Sequence, residues 1–199
     1  MLSSLLQNFI NFILPLRQTQ KLVDALVVSD LYRLQSRGSL PYHAEEVQAL
    51  VWELKYYGNQ RAANLAGELL AEELLGLASE EIGRPLLIPV PMHPARRRER
   101  GHNQTELLCQ AALSHLHEAY DYAPQALKRT VNTPHQQGLE RKKRLLNMQN
   151  SMQATKVVNG RVCVVVDDVT TTGATLAEAA RALKEAGALR VHCVALAQS

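Results

Sequence analysis

Apolar positions along this chain recur with two different periods, and the change of period divides it into elements. Leu2, Leu5, Leu6, Phe9, Ile10 and Ile13 repeat at helical spacing, which predicts an amphipathic N-terminal helix packing on the body. Val47, Leu50, Val51 and Leu54 share one face over 44–57, and Ala63, Leu65, Ala66, Leu69, Leu70 and Leu74 recur over 60–77. Two helices are predicted there, broken at Gly58-Asn59. Pro85-Leu-Leu-Ile-Pro-Val90 is a short apolar run bounded by prolines, which suits a buried strand. Residues 103–118 read as helix. Val157-Val158 suggests the start of a short strand before the turn signal Asn159-Gly160. Arg161–Val166 is predicted as a strand, 176–186 as a helix closed by Gly187, and Arg190–Ala197 as a last buried strand.

Strands that alternate with helices predict an α/β fold, a parallel sheet with helices on both faces. Ligands in such sheets bind beyond the carboxyl ends of the strands. Residues 1–42, ending in Ser36-Arg-Gly-Ser-Leu-Pro41, read as an N-terminal appendage, and 43–199 as the main domain. The 199 residues are 46% hydrophobic and 21% charged, ordinary values for a globular protein with a normal core. A net charge of +3 is compatible with a phosphorylated ligand or weak nucleic-acid contact and demands neither. Cys109, Cys163 and Cys193 form no CxxC pair, so buried free thiols in a reducing compartment are expected, not a zinc site. The apolar start has no basic residue before Arg17 and no run reaches membrane-spanning length. A cytoplasmic protein without a membrane span is the expectation.

The chemistry concentrates where the motif strand ends. Val162 to Val166 leads into Asp167 and Asp168, and Thr171, Thr172, Gly173, Ala174 and Thr175 then open a helix. Hydroxyls and backbone N–H groups at a helix N-terminus suit a phosphate, and Gly173 lets the backbone approach it closely. The acids repel phosphate; they suit sugar hydroxyls or a cation. An isolated Asp-Asp would be read as a solvated turn, but the whole strand–acid–loop–helix run is much more specific.

This segment resembles the phosphoribosyl pyrophosphate (PRPP) motif of type I phosphoribosyltransferases. Two further segments extend the likeness. Val90 to Gln104 carries four arginines, Arg96, Arg97, Arg98 and Arg100, beside Gly101 and Asn103. Charge runs are usually solvated faces, and alone this one would be read so. Residues 127–139 are polar and rich in Thr, Gln and Asn, as a mobile loop would be. Pro89-Val-Pro91 with Arg100, Gly101, Asn103 and Gln104, then Arg129, Thr133, Gln136, Leu139, Arg144 and Asn147, then 166–175, together resemble the ComF-like competence family. Leu54-Lys-Tyr-Tyr-Gly58 is similar to another segment of that family. The likeness covers roughly residues 40–197.

The resemblance implies a PRPP-binding protein linked to DNA uptake, with Mg²⁺-dependent phosphoribosyl transfer to an unknown acceptor. The alternatives it leaves open are PRPP sensing without catalysis and single-stranded DNA binding. It implies Asp167 and Asp168 as catalytic ribose ligands that also serve Mg²⁺, directly or through water. It implies Thr171 to Thr175 for the 5′-phosphate, Pro91, Met92, Arg96, Arg100 and Gly101 for pyrophosphate, and Arg129, Thr133 and Gln136 on a flexible loop. A homodimer is compatible with it. Thr171 stands where 6-oxopurine transferases commonly carry an aspartate, which argues against hypoxanthine or guanine as acceptor. The family's usual four-cysteine zinc module has no counterpart in residues 1–40. His102 replaces a usual aromatic, and packing is its expected role. Val131 replaces a common basic residue.

Overall fold

A computed structural model of the protein describes residues 17–36, 38–131 and 150–199. The helix expected over residues 2–13 lies outside them. Two short helices come first, α1 (Gln18–Ala25) and α2 (Val28–Leu34), followed by strand β1 (Leu40–Pro41). Helices α3 (Glu45–Tyr57) and α4 (Gln60–Ser79) follow, then β2 (Leu86–Pro89), α5 (Pro94–Arg100) and α6 (Gln104–Leu113). After β3 (Asp121–Tyr122) come the hairpin strands β4 (Leu127–Arg129) and β5 (Met152–Ala154). The chain ends in β6 (Val162–Thr170), α7 (Ala174–Glu185) and β7 (Arg190–Gln198).

Five strands form one parallel sheet in the order β1-β7-β6-β2-β3. β6 is central, and its side chains alternate between two cores. Val164 and Val166 join a core shared with α3, α4 and α6, while Cys163 and Val165 join a second core beneath α7. This is the period of two that a strand imposes. The apolar run Val162–Val166 of β6 follows from it, because helices cover both of its faces.

The residues before β1 are tied in by polar anchors as well as by Val23, Leu26 and Leu31 in the first core. Glu53 on α3 is fully buried. Its carboxylate takes both Arg17 donors at 3.2 and 3.0 Å, the Thr19 hydroxyl at 2.7 Å and the Asn59 amide at 3.0 Å. Arg61 on α4 donates to the carbonyls of Val23 and Leu26 at the end of α1, at 3.1 and 2.7 Å. A basic side chain closing a helix C-terminus is favoured by the dipole as well as by the bonds.

Four expectations need correction. The helix expected over 103–118 stops at Leu113 with Ser114 as its C-cap, and the positive φ values of His117 and Glu118, 44° and 62°, keep it from resuming before 118. Val157-Val158 starts no strand: Lys156–Val158 is a 3₁₀ turn that drops Val158 into the second core. The segment from 127 is not unpacked at its start. Leu127–Arg129 pairs antiparallel with Met152–Ala154, since Leu127 and Met152 are both buried. Cys193 is exposed, because α7 covers β7 only in part and leaves Val191 and Ala195 half-buried.

Two outcomes test this packing. Gly67 on α4 meets α6 so closely that an added Cβ would lie 2.6 Å from the Ala111 Cβ and 2.7 Å from the Ala112 nitrogen. Gly67→Ala is expected to lose about 1–3 kcal/mol by overpacking, although alanine is intrinsically favoured in helices by about 1 kcal/mol; urea denaturation measures the difference. Glu178 on α7 accepts the Met152 N–H at 3.1 Å and is forked to Arg181, which also donates to the Met152 carbonyl at 3.3 Å. Burial favours the neutral acid, but Arg181 and the backbone donors outweigh it and hold the pKa below the ordinary value. The stabilisation is therefore complete above the ordinary glutamate pKa and is lost as pH falls through the depressed one. Glu178→Gln should flatten the acid limb of a stability profile taken between about pH 3 and pH 7.

Candidate functional site

The acidic pair lies at the carboxyl end of β6, inside the strand and not after it. Asp167 and Asp168 are both buried, at 7% and 4% exposure. Adjacent strand residues point to opposite faces, and the two acids meet different partners. Asp168 reaches Lys55 of α3, with Nζ to Oδ2 at 3.2 Å. Asp167 lies beside the field of Arg129, at the end of β4. Asp168 Oδ1 accepts the Val169 N–H and Asp167 Oδ1 the Asp168 N–H, each at 2.9 Å. Asp168 Oδ2 has no well-aligned donor, so Lys55 offsets its charge without making a good hydrogen bond.

Burial is the largest single influence on the electrostatics of Asp167, Lys55 and Arg129. Burial, with the like charge of Asp168, pushes the Asp167 pKa well above the carboxylate range. Burial works against the charge of Lys55, but Asp168, with help from Tyr42 and Asp167, lifts its pKa above the ordinary value. Burial lowers that of Arg129 in spite of Asp167.

A cavity of about 310 Å³ opens over the pair. Val90, Pro91, Met92, Arg96 and Arg100 form one wall, and Tyr42, Val51, Trp52, Lys55 and Tyr56 the other. The arginine wall is a helix begun by Pro94 and capped by the His93 ring, which accepts the Ala95 N–H at 3.2 Å. Arg96 and Arg100 are four residues apart, so they share the face that lines the cavity. Arg97 is turned away to Glu106, and Arg98 is exposed. Asn103 and Thr105 fix the end of this helix to the sheet, both donating to the Val90 carbonyl, at 3.1 and 2.7 Å. Arg129 Nε donates to the Pro91 carbonyl at 3.1 Å and so ties the hairpin to the same strand end.

Beside the cavity, a smaller depression of about 40 Å³ is lined by Asp167, Val169 and the whole run from Thr170 to Thr175. Gly173 is the N-cap of α7 with φ 74°, a conformation glycine adopts without strain. Nothing lies within 4 Å of a Cβ added there, so backbone angle, more than space, calls for glycine in the free protein. The sequence-predicted residues from 91 to 101 and from 167 to 175 thus line the cavity or the depression beside it, which share Asp167 and Thr175, apart from Gly101, which caps the arginine helix. Arg129 joins them from β4. Thr133 and Gln136 lie outside the described residues.

Sequence reasoning marked Leu54–Gly58 only by its family likeness and gave Trp52 and Lys55 no part in the site. Trp52 and Tyr56 are 48% and 44% exposed, with ring centroids 4.3 Å apart. The Arg100 guanidinium lies 5.2 Å from the Tyr56 ring. The signal was the three-to-four spacing of Trp52, Lys55 and Tyr56, opposite the apolar face of the same helix. His102 Nε2–H donates to the Leu54 carbonyl at 2.8 Å, and its ring packs against Gly58. It therefore links the arginine segment to α3.

The donor set fits a hard cation held mainly by water and ligand oxygens. Two carboxylates are present, and among the described residues no group of three or more His, Cys, Asp or Glu forms a protein metal cage. No described helix is long and apolar enough to cross a membrane.

Comparison with known proteins agrees with this geometry. Residues 108–199 match the phosphoribosyl transferase domain. The DNA utilization protein YhgH of Escherichia coli is 36% identical over 153 residues, 75% of this chain and 66% of that one. The chain thus spans just under two thirds of that relative's length. YhgH of Salmonella typhi is 34% identical over 157 residues, 77% of this chain and 68% of that one. Competence protein F of Haemophilus influenzae is 34% identical over 116 residues, 57% and 50% of the two chains. Among solved structures, a Trypanosoma cruzi hypoxanthine phosphoribosyl transferase is 14% identical with a TM-score of 0.45, over 70% of this chain and 66% of that one. The likeness to the YhgH proteins and to competence protein F, with the phosphoribosyl transferase domain match, makes this chain a member of the ComF-like family of type I phosphoribosyltransferase-fold proteins.

Proposed function

We propose that the protein binds PRPP with Mg²⁺ and transfers its phosphoribosyl group to an acceptor, in the cytoplasm and in the service of DNA uptake or use. The observation that carries this reading is the junction at the end of β6. There the buried acids separate a helix-capping loop on one side from an arginine face on the other. That order matches a ligand with a phosphate, two hydroxyls and a pyrophosphate in sequence. The link to DNA rests on what the relatives are called. In this reading 43–199 carries the chemistry and 1–42 is an appendage in place of a zinc module.

Each residue then has a physical task. Asp167 and Asp168 accept hydrogen bonds from the ribose hydroxyls. Backbone N–H groups of residues 171–175, at the positive end of α7, hold the 5′-phosphate. Arg96 and Arg100, with donors from the 91–101 segment, hold the pyrophosphate and stabilise the charge it gains as it leaves. Mg²⁺, when bound, would neutralise pyrophosphate and carboxylate charge at the acidic pair. Arg129 acts on Asp167 through its charge and ties the hairpin to the Pro91 carbonyl. Thr171 in place of an aspartate disfavours a 6-oxopurine acceptor.

A second reading is favoured by the exposed Trp52–Tyr56 pair and the Arg100 beside it: single-stranded DNA stacked across the mouth of the cavity. Anisotropy of a labelled oligonucleotide separates the two. Binding that weakens steeply with salt and is displaced by PRPP places both ligands at the arginine face.

Calorimetric titration tests the main reading. PRPP should bind the wild type in the presence of Mg²⁺. The double variant Asp167→Asn/Asp168→Asn should bind about 10²–10⁴-fold more weakly, because two hydrogen bonds to charged groups are worth about 1.5–3 kcal/mol each. A folded wild type that ignores PRPP with Mg²⁺ present would overturn it.

A further inference from the structure

The acidic pair already has a cation, and it comes from the opposite wall. Lys55 Nζ is 3.2 Å from Asp168 Oδ2, and its side chain is 26% exposed. It reaches in from α3, the same helix whose Trp52 and Tyr56 line the cavity. Asp168 Oδ1 is engaged by the Val169 N–H, whereas Oδ2 is buried without an aligned donor. Lys55 is therefore what makes that oxygen tolerable in the free protein.

We infer that Lys55 is the resident counter-ion of the Asp167–Asp168 pair, and that it makes the site select anionic ligands by exchange. The inference deepens the PRPP reading and rests on it. An external divalent cation approaching the pair alone meets a fixed positive charge in a poorly screened place. It is disfavoured until something draws Lys55 away. A phosphate or pyrophosphate group does this, because the lysine is a compact charge on a flexible stem and can turn into the cavity to meet it. Arg100 is less free to serve, since it donates to Gln104 at 2.9 Å and lies over Tyr56. Lys55 is thus a specificity-determining residue: it discriminates against bare metal and against neutral sugars, and favours a sugar bearing negative charge.

The test uses Mn²⁺ alone and PRPP alone as separate probes of the full chain. Lys55→Met should bind Mn²⁺, followed by its paramagnetic resonance signal, about 10–100-fold more tightly than the wild type. In metal-free buffer the same variant should bind PRPP about 10–100-fold more weakly, the loss expected for one hydrogen bond to a charged group. Adding Asp168→Asn to Lys55→Met should remove the gain in Mn²⁺ affinity. Thermal melts confirm that the variant is folded; if it is not, Lys55→Gln takes its place. Equal or weaker Mn²⁺ binding by the folded variant overturns the inference. Absence of PRPP binding by the wild type, with or without Mg²⁺, removes the PRPP reading instead and leaves the Mn²⁺ comparison standing.

Discussion

Burying two adjacent carboxylates at the end of a central strand is the constraint around which this structure is arranged. Two like charges a residue apart, both taken out of water, must be neutralised or hydrogen-bonded from several directions. The strand answers part of the demand with the backbone N–H groups of Asp168 and Val169. Lys55 supplies a charge from one face of the sheet, and Arg129 supplies one from the other. Each contributor is therefore held in place by contacts of its own, and these contacts join the cavity walls to the rest of the fold.

The same logic explains the arginine wall. A short helix carrying four arginines repels itself, and nothing in its own sequence holds it against the sheet. Asn103 and Thr105 do so through the Val90 carbonyl, and Glu106 takes Arg97 out of the site. What remains facing the cavity is one pair of guanidinium groups at helical spacing, so the site is less positive than the run suggests. The hairpin adds a third anchor, since Arg129 bonds the Pro91 carbonyl while Glu178 and Arg181 hold Met152.

Much of this could be read from the residues. The helices over 45–57 and 60–79 follow the apolar face of Val47, Leu50, Val51 and Leu54 and then the Ala/Leu-rich pattern, and the Gly58-Asn59 break falls where Asn59 caps α4. The strand ending in the acids was legible because β-branched residues on both faces leave little else for it to be. The hairpin was not, since Leu127–Arg129 and Met152–Ala154 are three residues each and their pairing depends on contacts with α7. The cavity wall from α3 was legible as a helix but not as a wall. Its exposed aromatics gain meaning only when the sheet places α3 opposite the acidic strand end. Lys55 was passed over for the same reason: 113 positions separate it from its partner.

Helix α3 carries two buried electrostatic commitments only two residues apart. Glu53 is held by Arg17, Thr19 and Asn59, and Lys55 by Asp168. The first fixes the axial position of the helix and so sets how far the lysine reaches across the opening. Arg17 and Thr19 at the start of α1, remote from the acids in the chain, therefore act as a setscrew on the cavity. A change at Arg17 or Thr19 would be felt at the cavity through Glu53, without a single change among the residues that line it.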